Sequence, residues 1–196
     1  MDVNLRELHG NWDKGFALHK HVLNSVPIGP NEWGHMQFDT TRSEPGEALY
    51  QLKYKGDFNK VDPLAQAIND HIAPILGKFA MVIPMPATKQ RARQPVHEIT
   101  QKLSKLTGTL YADGLLLKHP PVPGVPEIKN LGSKEEKVAA LADRFYLEQT
   151  FITNEGKWGA LLVDDKYDTG ASLEAACSIL CTYPKIGKMF VATCSW

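Results

Sequence analysis

Two continuous apolar runs of strand length, Phe79–Met85 and Gly159–Asp164, constrain this chain more than any other feature. A strand that is apolar at nearly every position has no face for water and must be covered on both sides. Each run is followed by residues at helical spacing: Val96, Ile99, Leu103 and Leu106 after the first, Leu173, Ala176, Cys177 and Leu180 after the second. Strands alternating with amphipathic helices predict an α/β fold, a parallel sheet flanked by helices. In such sheets ligands bind beyond the carboxyl ends of the strands, near a topological switch point. The loop after Met85 and the residues from Asp164 onward occupy that position.

The other elements fit this frame. Asp62-Pro63 offers an N-cap and a first-turn proline for a helix on Leu64, Ile68, Ile72, Ile75 and Leu76, stopped by Gly77. Leu110–Leu117 and Met189–Cys194 read as further strands. His119–Gly132, with four prolines and two glycines, reads as a long exposed loop. Ser133–Leu141 reads as a helix with a capping box on Ser133 and Glu136. Residues 1–60 are rich in Gly, His, Asn and aromatics without a clean period. They predict an irregular N-terminal cap or hood, with short strands such as Ala48–Tyr54, before a core over 61–196. At 196 residues the whole is expected to be one domain.

Composition narrows the function. The formal net charge is zero, so no overall field favours nucleic acid or a membrane surface. No apolar run approaches the roughly 20 residues of a membrane span. The opening MDVNLRELHGNW has no apolar leader-like region. Three cysteines, all late in the chain, are too few for a disulfide framework, and a cytoplasmic setting is expected.

The chemistry concentrates in LLVDDKYDTGAS, Leu161–Ser172. Two adjacent carboxylates at a strand end are costly unless something uses their charge. Thr169, Gly170, Ala171 and Ser172 form a turn into a helix, where unpaired N–H groups and a partial positive charge make a phosphate site. Asp164 and Asp165 can accept hydrogen bonds from ribose hydroxyls, or from waters around Mg²⁺. The plainer alternative is a surface Asp-Asp turn before a capped helix.

This run resembles the phosphoribosyl-pyrophosphate (PRPP) motif of type I phosphoribosyltransferases: apolar strand, two acids, two variable residues, a polar Thr-Gly loop, then a helix. The resemblance implies that Asp164 and Asp165 face the ribose hydroxyls or a Mg²⁺ ion, and that Asp168–Ser172 hold the 5′-phosphate. ALYQLKYKGD (Ala48–Asp57) and the segment Val82–Gly108 resemble the ComF-like branch, here without its N-terminal zinc ribbon. Asp168-Thr169-Gly170 follows instead the pattern of hypoxanthine-guanine-type enzymes, in which that acid is the proposed general base. The implied activity is Mg²⁺-dependent transfer of ribose-5-phosphate from PRPP to a nitrogenous base, with a homodimer allowed. A non-catalytic PRPP or nucleotide sensor on the same fold is the alternative.

Three cations, Lys89, Arg91 and Arg93, follow the first strand. By resemblance they bind pyrophosphate; a solvated basic turn is the other reading. The Pro-rich loop His119–Gly132, with Lys134 and Lys137 beyond it, corresponds to a loop that closes over the reaction in the family. His19, His21 and His35 read as scattered surface histidines, Cys177 and Cys181 as core thiols, and Trp12, Phe16 and Trp33 as packing or as a hood over a base.

Overall fold

The computed structural model describes residues 1–89, 91–120, 133, 141 and 144–196. The chain opens with β1 (Arg6–Glu7) and β2 (Lys14–His19), followed by an antiparallel hairpin of β3 (Val22–Pro30) and β4 (Met36–Arg42). Helix α1 (Glu44–Tyr50) runs into a π-helical turn over Gln51–Lys55. A short 3₁₀ turn then leads to α2 (Val61–Ala67), a second π-turn (Ile68–Ile72) and α3 (Ala73–Leu76). Next come β5 (Met81–Pro84), α4 (Pro95–Thr107), β6 (Leu110–Tyr111), β7 (Leu116–Lys118) and β8 (Phe145–Leu147). The chain closes with β9 (Trp158–Lys166), α5 (Ala171–Leu180) and β10 (Ile186–Ser195).

The central sheet has six strands in the order β1-β2-β10-β9-β5-β6. All its pairings are parallel except that of β1 with β2 at the edge. Both faces are covered, as the two apolar runs require. Met81, Ile83, Ala160 and Leu162 pack in one core with Leu173, Ala176, Cys177 and Leu180 of α5. Val82, Leu161 and Val163 pack in the other with Leu64, Ile68 and Ile72, and with Ile99 and Leu103 of α4. Neighbours in one strand point to opposite faces, so each run divides its side chains between two helix layers. Gly108, at φ 67°, ends α4 in the left-handed conformation that glycine adopts without steric cost.

The N-terminal segment departs from the expectation of an irregular cap. β2 is a strand of the central sheet, parallel to β10, with Ala192 opposite Phe16. Local pattern does not show this, because the partner lies some 175 residues further along the chain. Ala48–Tyr54 is helical rather than a strand. Ser43 Oγ accepts from the Gly46 N–H at 3.0 Å, Pro45 sits in the first turn, and Leu49 and Leu52 are buried at helical spacing. The helix expected to begin at Asp62 begins instead at Val61, continuing the 3₁₀ turn, and Asp62 pairs with Lys102 at 2.7 Å. Leu110–Leu117 is not one strand but β6 and part of β7, and β7 belongs to a separate two-stranded sheet with β8. The loop His119–Gly132 and the helix Ser133–Leu141 lie almost wholly outside the described residues.

Candidate functional site

A crevice opens where β5 and β9 part. Val163 is opposite Pro84, and the Met85 N–H still donates to the Val163 carbonyl at 2.8 Å. Beyond that bond, the chain after β5 turns towards α4 and β6 on one side. The chain after β9 turns towards α5 and β10 on the other. This is the switch point of the sheet, where divergent connections leave a gap at the carboxyl edge.

Two adjoining cavities occupy the gap and share Asp164 and Ser172. The larger, about 410 Å³, runs along the loop Met85–Lys89 and is lined by Arg91, Lys53, Lys118, Asp164 and Asp165 among others. The smaller, about 270 Å³, is formed by Lys166–Leu173 with Asp164 and Leu141. Lys89, Arg91, Asp164, Asp165, Asp168, Thr169, Gly170, Ala171 and Ser172 therefore line these two adjoining cavities. Arg93 does not. Its guanidinium makes two hydrogen bonds to Glu98, at 2.8 and 2.9 Å, and lies 3.8 Å from the Phe58 ring centroid. A carboxylate and an aromatic face hold it away from the cavity, and neither partner is evident from local sequence pattern.

The smaller cavity is a helix start built without a side-chain cap. Gly170 is the N-cap of α5 at φ 83°, and no side chain caps the first turn. The Ala171 N–H donates to Thr169 Oγ1 at a long 3.4 Å. A Cβ at Gly170 would come within 2.9 Å of the Tyr167 ring. Asp168 is exposed beside this turn and makes no hydrogen bond to the described residues, so it does not cap the helix.

The acid pair has its own electrostatics. Asp164 Oδ1 accepts the Asp165 N–H at 2.7 Å, and Asp165 Oδ2 lies 2.6 Å from Lys53 Nζ. Burial, reinforced by the Asp165 charge, pushes the Asp164 carboxyl well above the ordinary carboxylate range. Lys118 is the second lysine near the pair; its Nζ donates to Thr88 Oγ1 at 3.1 Å, and burial holds it below the usual lysine value. His97, half-buried on the same wall, is likewise held low by burial.

The raised Asp164 carboxyl has a stability consequence. The folded protein keeps this proton at pH values where the unfolded chain has lost it. The contribution of this group to stability is therefore full in acid and is lost as pH rises through its folded-state titration, above the ordinary carboxylate range. Asp164→Asn removes this titration, and the amide oxygen can still accept the Asp165 N–H. Its melting temperature is expected to exceed that of the wild type increasingly between pH 5 and 8.5, by about 2–4 °C for each kcal/mol relieved. Melting curves at several pH values test this; parallel curves for the two proteins would show that Asp164 ionises normally.

Local sequence pattern does not single out Lys53 or Lys118 as site residues. Lys53 lies in the stretch Ala48–Asp57, but only the helical and π-helical path of that stretch turns it to the sheet edge. Lys118 closes the apolar run Leu115–Leu117, and its position depends on the pairing of β7 with β8. The aromatic hood does not form. Trp12 is buried and its Nε1 donates to the Leu8 carbonyl at 2.9 Å, Phe16 packs against the second core, and Trp33 is 73% exposed at the tip of the β3–β4 hairpin. Cys177 is buried as expected, whereas Cys181 is exposed at the end of α5. Among the described residues no three His, Cys, Asp or Glu side chains converge as a metal site, and no helix is long and apolar enough to cross a membrane.

No protein-family model matches the chain, and no curated protein matches it in sequence. Among solved structures it is similar to adenine phosphoribosyltransferase from Saccharomyces cerevisiae complexed with an imino-altritol bisphosphate and adenine. Identity is 15%, covering 88% of this chain and 83% of that one, with a TM-score of 0.42. It is also similar to adenine phosphoribosyltransferase from Thermoanaerobacter pseudethanolicus, at 17% identity over 86% of this chain and 92% of that one, with a TM-score of 0.40. A third adenine phosphoribosyltransferase structure gives 15% identity, coverage of 88% and 85%, and a TM-score of 0.41.

Proposed function

We propose that the chain has the type I phosphoribosyltransferase fold of the ComF-like branch, and that its crevice binds PRPP and transfers ribose-5-phosphate to a nitrogenous base. The observation that carries this reading is the pair of adjoining cavities sharing Asp164 and Ser172, one cationic and one at an uncapped helix start. A ligand with a phosphate at one end, a diphosphate at the other and a hydroxylated ring between matches that sequence of environments. The 5′-phosphate sits at Thr169–Ser172 on free N–H groups. The diphosphate lies along Lys89 and Arg91, and the ribose hydroxyls face Asp164 and Asp165. Asp164, held towards its neutral form, can donate as well as accept.

In the reaction the C1–O bond to pyrophosphate breaks, pyrophosphate leaving with the electron pair, and a bond forms from a ring nitrogen of the base to C1. The ring proton passes to Asp168. Positive charge grows on the ribose as the bond breaks, so the residues act chiefly by positioning and electrostatics. Asp164 and Asp165 would hold a Mg²⁺ ion through water or ribose hydroxyls; the described residues form no protein-only cage. When bound, such an ion neutralises diphosphate charge. The sensor reading draws on one observation, the engagement of Arg93 by Glu98 and Phe58, which leaves the cationic wall with one residue fewer.

Binding of ribose 5-phosphate tests the phosphate end. Gly170→Val is expected to weaken it by at least about tenfold, because the side chain enters the turn and forces Tyr167 aside. A β-branched residue at positive φ costs about 1–3 kcal/mol, small beside the 5–15 kcal/mol of a typical domain, so the variant should fold. Calorimetry on variants with native circular dichroism decides the matter. Unchanged affinity would remove the phosphate from this turn.

A further inference from the structure

Lys53 lines the crevice, and the proposed reaction gives it no role. Its ammonium lies 2.6 Å from Asp165 Oδ2, and both side chains are about one-fifth exposed. Four features show that this is a built contact rather than a chance surface pair. The backbone carries Lys53 on a π-helical turn, Gln51–Lys55, a geometry rare in proteins and frequent at functional sites. Gly56 ends that turn at φ 69°. Leu52, the preceding residue, is buried in the second core and anchors the turn to the sheet. Finally, Lys53 and both acids line the same cavity, so the ion pair faces the space a ligand would occupy.

A carboxylate oxygen holding an ammonium at this distance is occupied on that side. The Asp164 carboxyl, meanwhile, accepts the Asp165 N–H through Oδ1. Freed of the ammonium, Asp165 would offer a carboxylate oxygen to a divalent cation, with the Asp164 oxygen beside it. We propose that Lys53 is a tethered counter-ion: in the ligand-free protein its ammonium occupies Asp165 and keeps a free divalent cation off the acid pair, until ribose hydroxyls displace it. A divalent ion then enters with the diphosphate rather than before it. The displaced ammonium remains within the cavity that also holds Lys89 and Arg91. The identity of the displacing ligand rests on the PRPP reading; the exclusion of the free cation rests on the ion pair alone.

The experiment uses Mn²⁺ as the probe, titrated into the full chain without ligand at constant ionic strength and followed by electron paramagnetic resonance of the free ion. The wild type is expected to show only weak binding. Lys53→Met, which keeps an apolar stem of similar length, should bind Mn²⁺ roughly 10–100-fold more tightly, the scale on which neighbours of metal ligands act. Adding Asp165→Asn to that variant should abolish the gain. Lys53→Gln provides the same measurement should Lys53→Met not fold. Equal Mn²⁺ binding by the wild type and the Lys53 variants, or a gain that survives Asp165→Asn, would overturn the proposal. Ribose 5-phosphate is then titrated into the same proteins. Its failure to bind any of them would overturn the PRPP reading and leave the Mn²⁺ result standing, so the two failures are distinct.

Discussion

Asp168→Asn is expected to leave nucleotide binding intact, or slightly tighter, and to reduce pyrophosphate release by about 10²–10⁴-fold, the usual worth of general acid-base assistance. The carboxylate stands beside the proposed phosphate turn, where its charge opposes a bound phosphate. Among the described residues it has no compensating structural role: Gly170 stands at the N-cap of α5, no side chain caps that turn, and Asp168 makes no hydrogen bond to them. A capping acid would tolerate Asn almost silently, since both residues cap well. Here the change keeps the shape and removes only the ability to take a proton. Release is measured for wild type and variant across purine and pyrimidine bases. Equal turnover would take Asp168 out of the reaction. Clear nucleotide binding with no release from any base would assign the chain to the sensor class.

Replacing Lys89 and Arg91 together by Gln should weaken PRPP by roughly 10²-fold while changing ribose 5-phosphate less than about threefold. Hydrogen bonds to charged partners contribute about 1.5–3 kcal/mol each, and two lost near the lower limit give that ratio. Both side chains line the larger cavity, and the Gln94 amide braces their loop by donating to the Lys89 carbonyl at 2.9 Å. Arg93 is left unchanged because its partners are Glu98 and Phe58, so altering it would test packing rather than ligand. The loss of PRPP affinity should shrink at high salt, because both cations are exposed and their attraction is screened. Equal weakening of the two ligands would make this loop ordinary surface.

Much of this architecture was legible in the sequence. The continuous runs around Val82 and Leu162 required a sheet buried on both faces, because no other arrangement hides both sides of a strand. The helical spacing of Ile99 and Leu103, and of Leu173 and Cys177, required the covering layers. The order of residues in Asp164–Ser172 placed acids at a strand end and a glycine turn at a helix start, both local features set by neighbouring backbone. Those residues do lie together at one edge of the sheet.

Tertiary structure decided what depends on partners distant in the chain. β2 joined the central sheet because its hydrogen bonds go to β10, and no pattern within residues 14–19 encodes that choice. Trp12 became core and Trp33 remained exposed although both are aromatic, because burial depends on what covers a residue rather than on its type. Arg93 left the cationic wall for Glu98 and Phe58, while Lys53 entered it from an earlier turn and took hold of Asp165. Sequence alone determined the backbone features that local steric rules and apolar spacing dictate. Where the charges ended up was decided by the fold, because a long cationic side chain takes the carboxylate or aromatic face that three-dimensional packing brings within its reach.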